Sequence, residues 1–269
     1  MDKKYHFLAG FPRSGNTLLS SILNQNPSIY SSPLSPTLVI LSNIHETIKS
    51  DQNIKRNDRN DIGQFTKNIL KNYYKDINKS IIIDREKVWA TPINFPLIKH
   101  YIDPNPKIIF TVRPIIEILT SFIDILPEHS YLDQEMLEFG YLNKNYLTKN
   151  DNRCDFLMRP FGLIDKCLFS INEITKLENK ENFCVIQYDE IVNNPQDIMK
   201  KIYKFLGIPE YQHDFDNIVK LEKDNDEKIG QPKDMHKIRK KLKKISKDPK
   251  DVLSDYVINK YSNTGWEKI

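Results

Sequence analysis

The sequence predicts an α/β fold, a three-layer sandwich in which helices cover both faces of a mostly parallel central sheet. Strand-like and helix-like segments alternate along most of the chain. Two of the strand candidates are short β-branched runs bounded by turn residues, which is typical of strands buried on both faces of a parallel sheet. A glycine-bearing loop joins the first strand candidate to the first helix candidate. In such sheets ligands bind at the carboxyl ends of the strands.

Composition favours a single domain over residues 1–269. The chain is 39% hydrophobic and 10% aromatic, which is enough to bury a sizeable core, and it contains no repeat. We expect a cytoplasmic protein without a membrane span, because the first strand begins almost at the amino terminus and no apolar run is long enough to cross a bilayer. Cys154, Cys167 and Cys184 have no metal-type spacing and are expected to be reduced core thiols.

The first elements are a strand, a tight loop and a helix. YHFLAGF (5–11) reads as a buried strand, and TLLSSILNQ (17–25) has the apolar spacing of a helix that stops before Pro27. TLVILSNIHETI (37–48) predicts a second helix. After the polar stretch 49–61, a third predicted helix carries an apolar face of Ile62, Phe65, Ile69, Tyr73 and Ile77.

The second half continues the alternation. SIIID (80–84) and KIIFTVR (107–113) predict inner parallel strands, each followed by helix signals. Residues 127–155 are polar and aromatic with weak periodicity, which predicts an irregular excursion near a binding site. The remaining predictions are a helix carrying Ile164, Leu168, Ile171, Ile174 and Leu177, a strand FCVIQY (183–188), and a helix PQDIMKKIYKFLG (195–207) ended by Gly207.

The loop from Gly10 to Thr17 nearly fits the phosphate-loop pattern G-x-x-x-x-G-K-[ST], but Asn16 replaces the lysine. Gly10 and Gly15 allow a tight turn that directs several N–H groups toward one anion, and the following helix adds its amino-terminal dipole. The fold is therefore expected to be P-loop NTPase-like with an anion site. Arg13 is the only cation of the loop, so ATP hydrolysis is disfavoured.

Two motifs together resemble the sulfotransferases that use 3′-phosphoadenosine 5′-phosphosulfate (PAPS). That family carries a P-[RK]-[ST]-G-[TSN]-[TS]-[LW] loop for the 5′-phosphosulfate, which PRSGNTLL (12–19) matches. It then carries a strand ending in Arg, with a Ser eight positions later for the 3′-phosphate, which KIIFTVRPIIEILTSF (107–122) matches. The resemblance implies that the cofactor is bound by Arg13, Ser14, Gly15, Asn16, Thr17, Leu18, Arg113 and Ser121.

Further segments extend the resemblance. FCVIQYDEIVNNPQDIMKKIYKFLGIP (183–209) is similar to the family's late strand and helix, which implies that Tyr188 lies near the nucleotide. SPLSPTLVIL (32–41) and IIIDREKVW (81–89) look like bacterial and phage-type members, or distantly like the tyrosylprotein branch. The sequence departs from the family pattern at two places. Pro114 follows the family's Arg, and the position of the tyrosylprotein branch's catalytic glutamate falls near Leu34 and Ser35 here.

The resemblance implies in-line transfer of a sulfuryl group from PAPS to a hydroxyl or amine, with no metal. Such a loose transition state is stabilised by positioning and by cations where charge develops. Arg13 is the first candidate for stabilising the departing 5′-phosphate, and Lys87 is the second. Asp84, at the end of a predicted strand, is the leading candidate for the general base. His45 and Glu46 are the alternatives.

The segment MHKIRKKLKKISK (235–247) concentrates basic charge, and Ile238, Leu242 and Ile245 would share one face of a helix. This pattern is compatible with several structures. They are a solvated helix with one buried stripe, a nucleotide lid, an acceptor site for an acidic molecule, and a nucleic-acid or membrane arm. Related sulfotransferases close a basic carboxyl-terminal segment, here about 232–269, over the nucleotide. The resemblance therefore implies that His236 and Arg239 contact PAPS.

Two other functions remain open at this point. A P-loop kinase-like phosphotransferase would use Asp84 to bind Mg²⁺, although Asn16 argues against it. A non-catalytic nucleotide-binding module would bind PAPS without sulfating anything. The acceptor is expected to be a small molecule or a peptide rather than a nucleic acid. Tyr131, Phe139, Tyr141 and Tyr146 would suit a flat or peptidic ligand, and the sequence predicts no oligomeric state.

Overall fold

The computed structural model describes residues 3–56, 61–141, 143–176, 180–220, 235–244 and 247–265. Within these ranges the strands are β1 (Lys4–Gly10), β2 (Ile29–Leu34), β3 (Ile81–Arg85), β4 (Ile108–Val112) and β5 (Phe183–Gln187). The α-helices in the same ranges are α1 (Asn16–Leu23), α2 (Thr37–Ser50), α3 (Gln52–Arg56), α4 (Asp61–Lys67), α5 (Ile69–Tyr73), α6 (Phe95–Tyr101), α7 (Ile115–Ile123), α8 (Tyr131–Glu138), α9 (Lys149–Leu157), α10 (Leu163–Lys176), α11 (Tyr188–Asn193), α12 (Pro195–Leu206) and α13 (Asp255–Tyr261). No described helix combines the length and the apolar character needed to cross a bilayer.

The five strands form one sheet in the order β2-β3-β1-β4-β5, and every pairing is parallel. The prediction of a mostly parallel central sheet is confirmed. β1 lies at the centre, so the loop that follows Gly10 opens between the ends of β3 and β4. The edge strand β2 was not predicted. Its sequence IYSSPL combines two serines with Pro33, which lacks a backbone N–H and is tolerated mainly on sheet edges.

Alternation along the strands divides the core into two clusters, one on each face of the sheet. On β1, Phe7 and Ala9 belong to one cluster and Leu8 belongs to the other. On β3, Ile82 lies in the first cluster and Ile83 in the second. Successive side chains of a strand point to opposite faces. Both faces are therefore covered by helices, and the predicted three-layer α/β sandwich is confirmed.

The third predicted helix is two helices, α4 and α5, which are separated at Asn68. The backbone of Asn68 leaves helical geometry with φ −92° and ψ 3°, so the apolar face rotates across the break. Phe65 and Tyr73 are exposed, whereas Leu70 and Tyr74 are buried. The predicted apolar face is therefore wrong at Phe65 and Tyr73.

The prediction of an irregular excursion over 127–155 is also wrong, because this segment contains α8 and most of α9. The sequence pattern does not predict α9, because this helix buries polar groups instead of an apolar stripe. Arg153 forms an ion pair of 2.7 Å with Asp133. Asp155 accepts hydrogen bonds from Lys144 and from side chains of α13. Burial alone would raise the pKa of Asp155, but these hydrogen bonds lower it to about 2.

The basic segment 235–247 is not helical where it is described. Ile218 N donates to Lys240 O at 2.7 Å and Leu242 N donates to Phe215 O at 3.3 Å, so these backbone groups pair with a preceding segment instead of forming helical turns. Ile238 and Leu242 nevertheless pack against the second apolar cluster, as the spacing predicted. Ile245 and Leu177 lie outside the described residues.

The buried histidine of β1 predicts acid sensitivity. His6 is 7% exposed, and neither of its ring nitrogens has a hydrogen-bond partner among the described residues. Burial lowers the pKa of His6 to about 4, against a partial opposing effect of Asp103. The unfolded imidazole binds a proton near pH 6.5, whereas the folded one resists protonation until about pH 4. The contribution of neutral His6 to the free energy of unfolding is therefore fully present above pH 6.5, and it is lost as the pH drops toward 4.

We expect the effect of His6 alone to lower the free energy of unfolding by about 2 kcal/mol when the pH is changed from 7 to 5. Urea denaturation at the two pH values measures the loss, and His6→Leu should reduce it by that amount. His213 is also buried, with a pKa lowered by burial to about 4, and should retain its share of the acid sensitivity in this variant. An unchanged pH dependence in His6→Leu would refute this assignment.

Candidate active site

A cleft of about 290 Å³ opens where β1, β3 and β4 end. Among the predicted site residues, Ser14, Asp84 and the two alternative bases do not line it. The cleft brings together the others, which are Arg13, Gly15, Asn16, Thr17, Leu18, Lys87, Arg113, Ser121, Tyr188, His236 and Arg239. These residues come from the loop after β1, the turn after β3, the end of β4 with α7, the start of α11 and the basic segment. Parallel strands deliver their carboxyl ends to one edge of the sheet, which explains the convergence.

The loop after β1 needs glycine at two positions. Gly10 has φ 132°, and a Cβ atom there would lie 2.2 Å from Thr111 O. Gly15 has φ 88°, and a Cβ atom there would lie 2.8 Å from a ring carbon of Tyr188. Arg13 also adopts a left-handed conformation, with φ 61°. A non-glycine residue in this region is strained, and such strain is concentrated at functional sites.

Asn16, at the position of the missing lysine, fastens the loop to itself. Its Nδ2 atom donates to Phe11 O at 2.9 Å and lies 3.3 Å from Ser14 Oγ. A lysine at this position would instead reach toward a nucleotide's outer phosphates. The short amide therefore makes the loop rigid. Because Asn16 is neutral, other residues must supply the positive charge of the site.

The side chain of Ser14 does not line the cleft. Its side chain is fully buried, with Oγ 2.6 Å from Phe11 O and 2.6 Å from Thr111 Oγ1. The hydroxyl is thus turned toward β4 and away from the cleft. The Ser14 hydroxyl is therefore not directed at an anion in the cleft, and the backbone N–H of Ser14 is the candidate donor.

Arg13 connects the two predicted anion pockets. Its Nε atom donates to Ser121 Oγ at 3.1 Å, and its Nη1 atom donates to Met235 O at 2.6 Å. Arg113 Nη1 donates to the backbone oxygen of Arg13 at 2.8 Å. Arg113 and Ser121, predicted to share one phosphate, therefore both contact the same loop residue.

Arg113 is held from two further sides. Its Nε atom pairs with Glu117 Oε2 at 3.1 Å, four residues later on α7. Its guanidinium carbon lies 4.4 Å from the centroid of the Tyr188 ring. The Arg113 side chain is 6% exposed, so its charge is largely shielded from solvent. A planar guanidinium fixed in this way suits recognition of a phosphate.

Asp84 does not face the cleft, contrary to the prediction. It is fully buried, and its carboxylate accepts hydrogen bonds of 2.7–2.8 Å from Ser35, Thr37, Tyr74 and Trp89. Burial raises the pKa of Asp84, and the same four hydrogen bonds act in the opposite direction. Strand alternation turns this side chain into the first apolar cluster, where it ties β3 to the start of α2. A carboxylate enclosed in this way cannot reach an acceptor's proton, so Asp84 is not in position to act as the base.

The two alternative bases lie on α2 and do not line the cleft. His45 Nδ1 is 2.8 Å from Tyr101 OH, and burial lowers the pKa of His45. Glu46 is exposed. Lys87 does line the cleft, half-buried, and its backbone oxygen accepts from Gly10 N at 3.1 Å.

Arg85 was missed by the sequence analysis. Its side chain is almost completely buried, and Nη1 donates to Thr17 Oγ1 at 2.9 Å. A charged residue at the carboxyl end of a buried parallel strand is the signal that could have identified it. Within the described ranges, no group of three or more His, Cys, Asp or Glu side chains is arranged to hold a metal ion.

The chain is similar to solved sulfotransferase structures. The structure of a sulfotransferase domain from the curacin biosynthetic pathway has 20% sequence identity, covers 78% of this chain and 76% of its own, and has a TM-score of 0.50. A sulfotransferase from Alicyclobacillus acidocaldarius has 14% identity, 85% and 90% coverage and a TM-score of 0.49. Mouse sulfotransferase SULT7A1 complexed with PAP has 15% identity, 79% and 60% coverage and a TM-score of 0.47.

A search of curated protein sequences finds no match. The family described as "Sulfotransferase domain" matches residues 3–264, which is nearly the whole chain. The match includes the loop after β1, the strand that ends before Arg113 and the start of α11. The chain therefore belongs to the sulfotransferase domain family and is a transferase enzyme of that family.

Proposed function

We propose that this enzyme transfers the sulfuryl group of PAPS to a hydroxyl or amine of a small-molecule or peptide acceptor. The observation that carries the proposal is that Arg13, in the loop after β1, contacts both Ser121 and Arg113. The loop expected to bind one anion therefore meets the two residues expected to bind the other. In the proposal the loop amides from Arg13 to Leu18 and the amino terminus of α1 bind the 5′-phosphosulfate. Arg113 and Ser121 bind the 3′-phosphate.

The surroundings of Arg113 support its assignment. Glu117 and Tyr188 fix its guanidinium before any ligand arrives, which lowers the ordering cost of binding. Arg13 contacts Ser121, so its guanidinium lies within reach of the same phosphate. Tyr188 packs against Gly15 and lines the cleft between the two pockets, where the nucleoside would lie. His236 and Arg239 are proposed as contacts from the basic segment.

Charge at the transferring group is assigned to Arg13 and Lys87. Negative charge develops on the 5′-phosphate as the sulfuryl group leaves, and fixed cations stabilise it most where water is excluded. Lys87 lines the cleft directly after β3 and is half-buried. Arg13 would have to turn from Ser121 toward the loop to reach the bridging oxygen. PAPS supplies the activated sulfuryl group, and no step of this scheme requires a metal.

Two structural features disfavour a kinase. Asn16 binds the loop instead of reaching phosphates. Asp84, the acid that would hold Mg²⁺, is buried and accepts four hydrogen bonds from protein donors. A kinase would need both groups directed into the cleft.

Thermal unfolding with PAP, the desulfated product, tests donor binding against ATP with Mg²⁺. We expect PAP to raise the melting temperature and ATP with Mg²⁺ to leave it nearly unchanged. Transfer of ³⁵S from labelled PAPS to a panel of phenols, alcohols, amines and tyrosine peptides then tests catalysis. No shift with PAP would end the proposal, whereas binding without any transfer would favour a non-catalytic module.

We further propose that residues 1–269 form one domain and that the enzyme acts in the cytoplasm. The family match from residue 3 to 264 and the two apolar clusters on a single sheet support one domain. The three cysteines are buried free thiols, as expected of a reducing compartment.

A further inference from the structure

The dipeptide at the end of β3 places opposite charges on opposite faces of the sheet. Asp84 faces the first apolar cluster through Tyr74 and Trp89. Arg85 is the register partner of Leu8, a member of the second cluster, and its guanidinium reaches α1 at Thr17. The Arg85 residue is only 4% exposed. Burying a cation is costly. The burial of this guanidinium against the loop after β1 therefore indicates that its charge has a role there.

Hydrogen bonds fix the backbone of Arg85, and burial restricts its side chain. Arg85 N donates to Ser32 Oγ at 3.0 Å, and its carbonyl oxygen accepts from Ser35 N at 3.0 Å. The four hydrogen bonds to Asp84 hold the preceding residue. The cation is thus presented to Thr17 from a rigid strand end.

Thr17 occupies the Ser/Thr position of the phosphate-loop pattern, whose hydroxyl binds Mg²⁺ in nucleotide-hydrolysing enzymes. Here Thr17 Oγ1 accepts a hydrogen bond from Arg85 at 2.9 Å. A hydroxyl has one proton to donate, and Thr17 lines the cleft. With the guanidinium on its oxygen, the hydroxyl can direct that proton toward an anion in the loop.

We infer that Arg85 is a positioning residue of the phosphate loop: it orients the Thr17 hydroxyl and supplies beneath it the fixed positive charge that a divalent cation supplies in nucleotide-hydrolysing loops. The inference rests on the proposed function, in that the anion is the 5′-phosphate of PAPS or PAP. It assigns Arg85 to the 5′ end of the nucleotide only. Arg113 and Ser121 serve the 3′ end.

Isothermal titration of two nucleotides separates this role from general structural support. PAP carries both phosphates, whereas adenosine 3′-monophosphate lacks the 5′-phosphate. We expect Arg85→Met to weaken PAP binding roughly tenfold or more and to leave adenosine 3′-monophosphate binding within about twofold of wild type. Thr17→Val should weaken PAP comparably, and the double variant should be little worse than either single one, because the two residues act as a unit.

Arg85→Lys keeps the positive charge and guards against loss of folding in Arg85→Met. We expect it to bind PAP with an intermediate affinity and adenosine 3′-monophosphate normally. Equal losses for both nucleotides, or unchanged PAP binding in Arg85→Met and Arg85→Lys, would overturn the inference. Failure of the wild-type enzyme to bind PAP at all would instead refute the proposed function, so the two failures are distinguishable.

Discussion

Replacing Arg113 with alanine should weaken PAP binding by roughly a hundredfold, or about 3 kcal/mol. The wild-type guanidinium is fixed by Glu117 and Tyr188 and contacts the backbone of Arg13. In the proposed complex it makes charge-assisted hydrogen bonds to the 3′-phosphate. Its removal deletes those bonds and leaves Glu117 to repel the phosphate. Isothermal titration measures the loss directly.

Two comparisons make this prediction specific. Arg113→Ala should bind 5′-AMP, which lacks the 3′-phosphate, about as well as the wild type does. Lys200→Ala removes an exposed cation from α12 that does not line the cleft, and it should bind PAP normally. An equal loss for PAP and 5′-AMP in Arg113→Ala would mean that Arg113 supports the loop through Arg13 and does not bind the 3′-phosphate.

Replacing Asp84 with alanine should destabilise the fold by at least about 4 kcal/mol, since each buried donor left without a partner costs about 1–3 kcal/mol. The variant deprives Ser35, Thr37, Tyr74 and Trp89 of their shared acceptor. It also leaves a cavity beside the first apolar cluster. Urea denaturation at pH 7 measures the loss, and the variant is expected to be largely unfolded at 37 °C.

Thr37→Val provides a graded control for this network. It removes one of the four donors at nearly constant volume, and it should cost only about 1–2 kcal/mol. A stable Asp84→Ala variant that binds PAP normally and has lost only turnover would show that this carboxylate is the general base after all. The predicted pattern is the opposite, with stability lost first.

The elements that carry the family motifs could be predicted from the sequence because their signals are local. The β1 run, the loop from Gly10 to Thr17 and the first turn of α1 are contiguous, and each requires particular residues at fixed spacing. Arg113 follows a β-branched strand and precedes α7, so its place at the sheet edge also follows from local pattern. Their meeting in one cleft then follows from parallel pairing.

Other elements depend on partners far away in the sequence. α9 is stabilised by buried ion pairs and hydrogen bonds, including those from Lys260 and Tyr261 of α13 to Asp155, so it has no apolar stripe to detect. β2 is recognised only by its pairing with β3. The basic segment shows helical spacing, yet its backbone pairs with residues 215–218.

The direction of the Asp84 and Arg85 side chains illustrates the same limit within the site. Strand alternation predicts that neighbouring residues face opposite sides. It does not say which side carries α1 and therefore the loop. That choice is made by tertiary packing, which places α1 on the face of Leu8 and Ile83. The sequence alone therefore favoured Asp84 as the site residue, although Arg85 is the one that contacts Thr17.

In the proposed complex, one nucleotide bridges the loop after β1 and the pocket of Arg113 and Ser121. Isothermal titration of the wild-type enzyme with PAP and with 5′-AMP tests it most directly, because the two ligands differ only in the 3′-phosphate. We expect PAP to bind roughly a hundredfold more tightly than 5′-AMP. Equal affinities for the two nucleotides would contradict it.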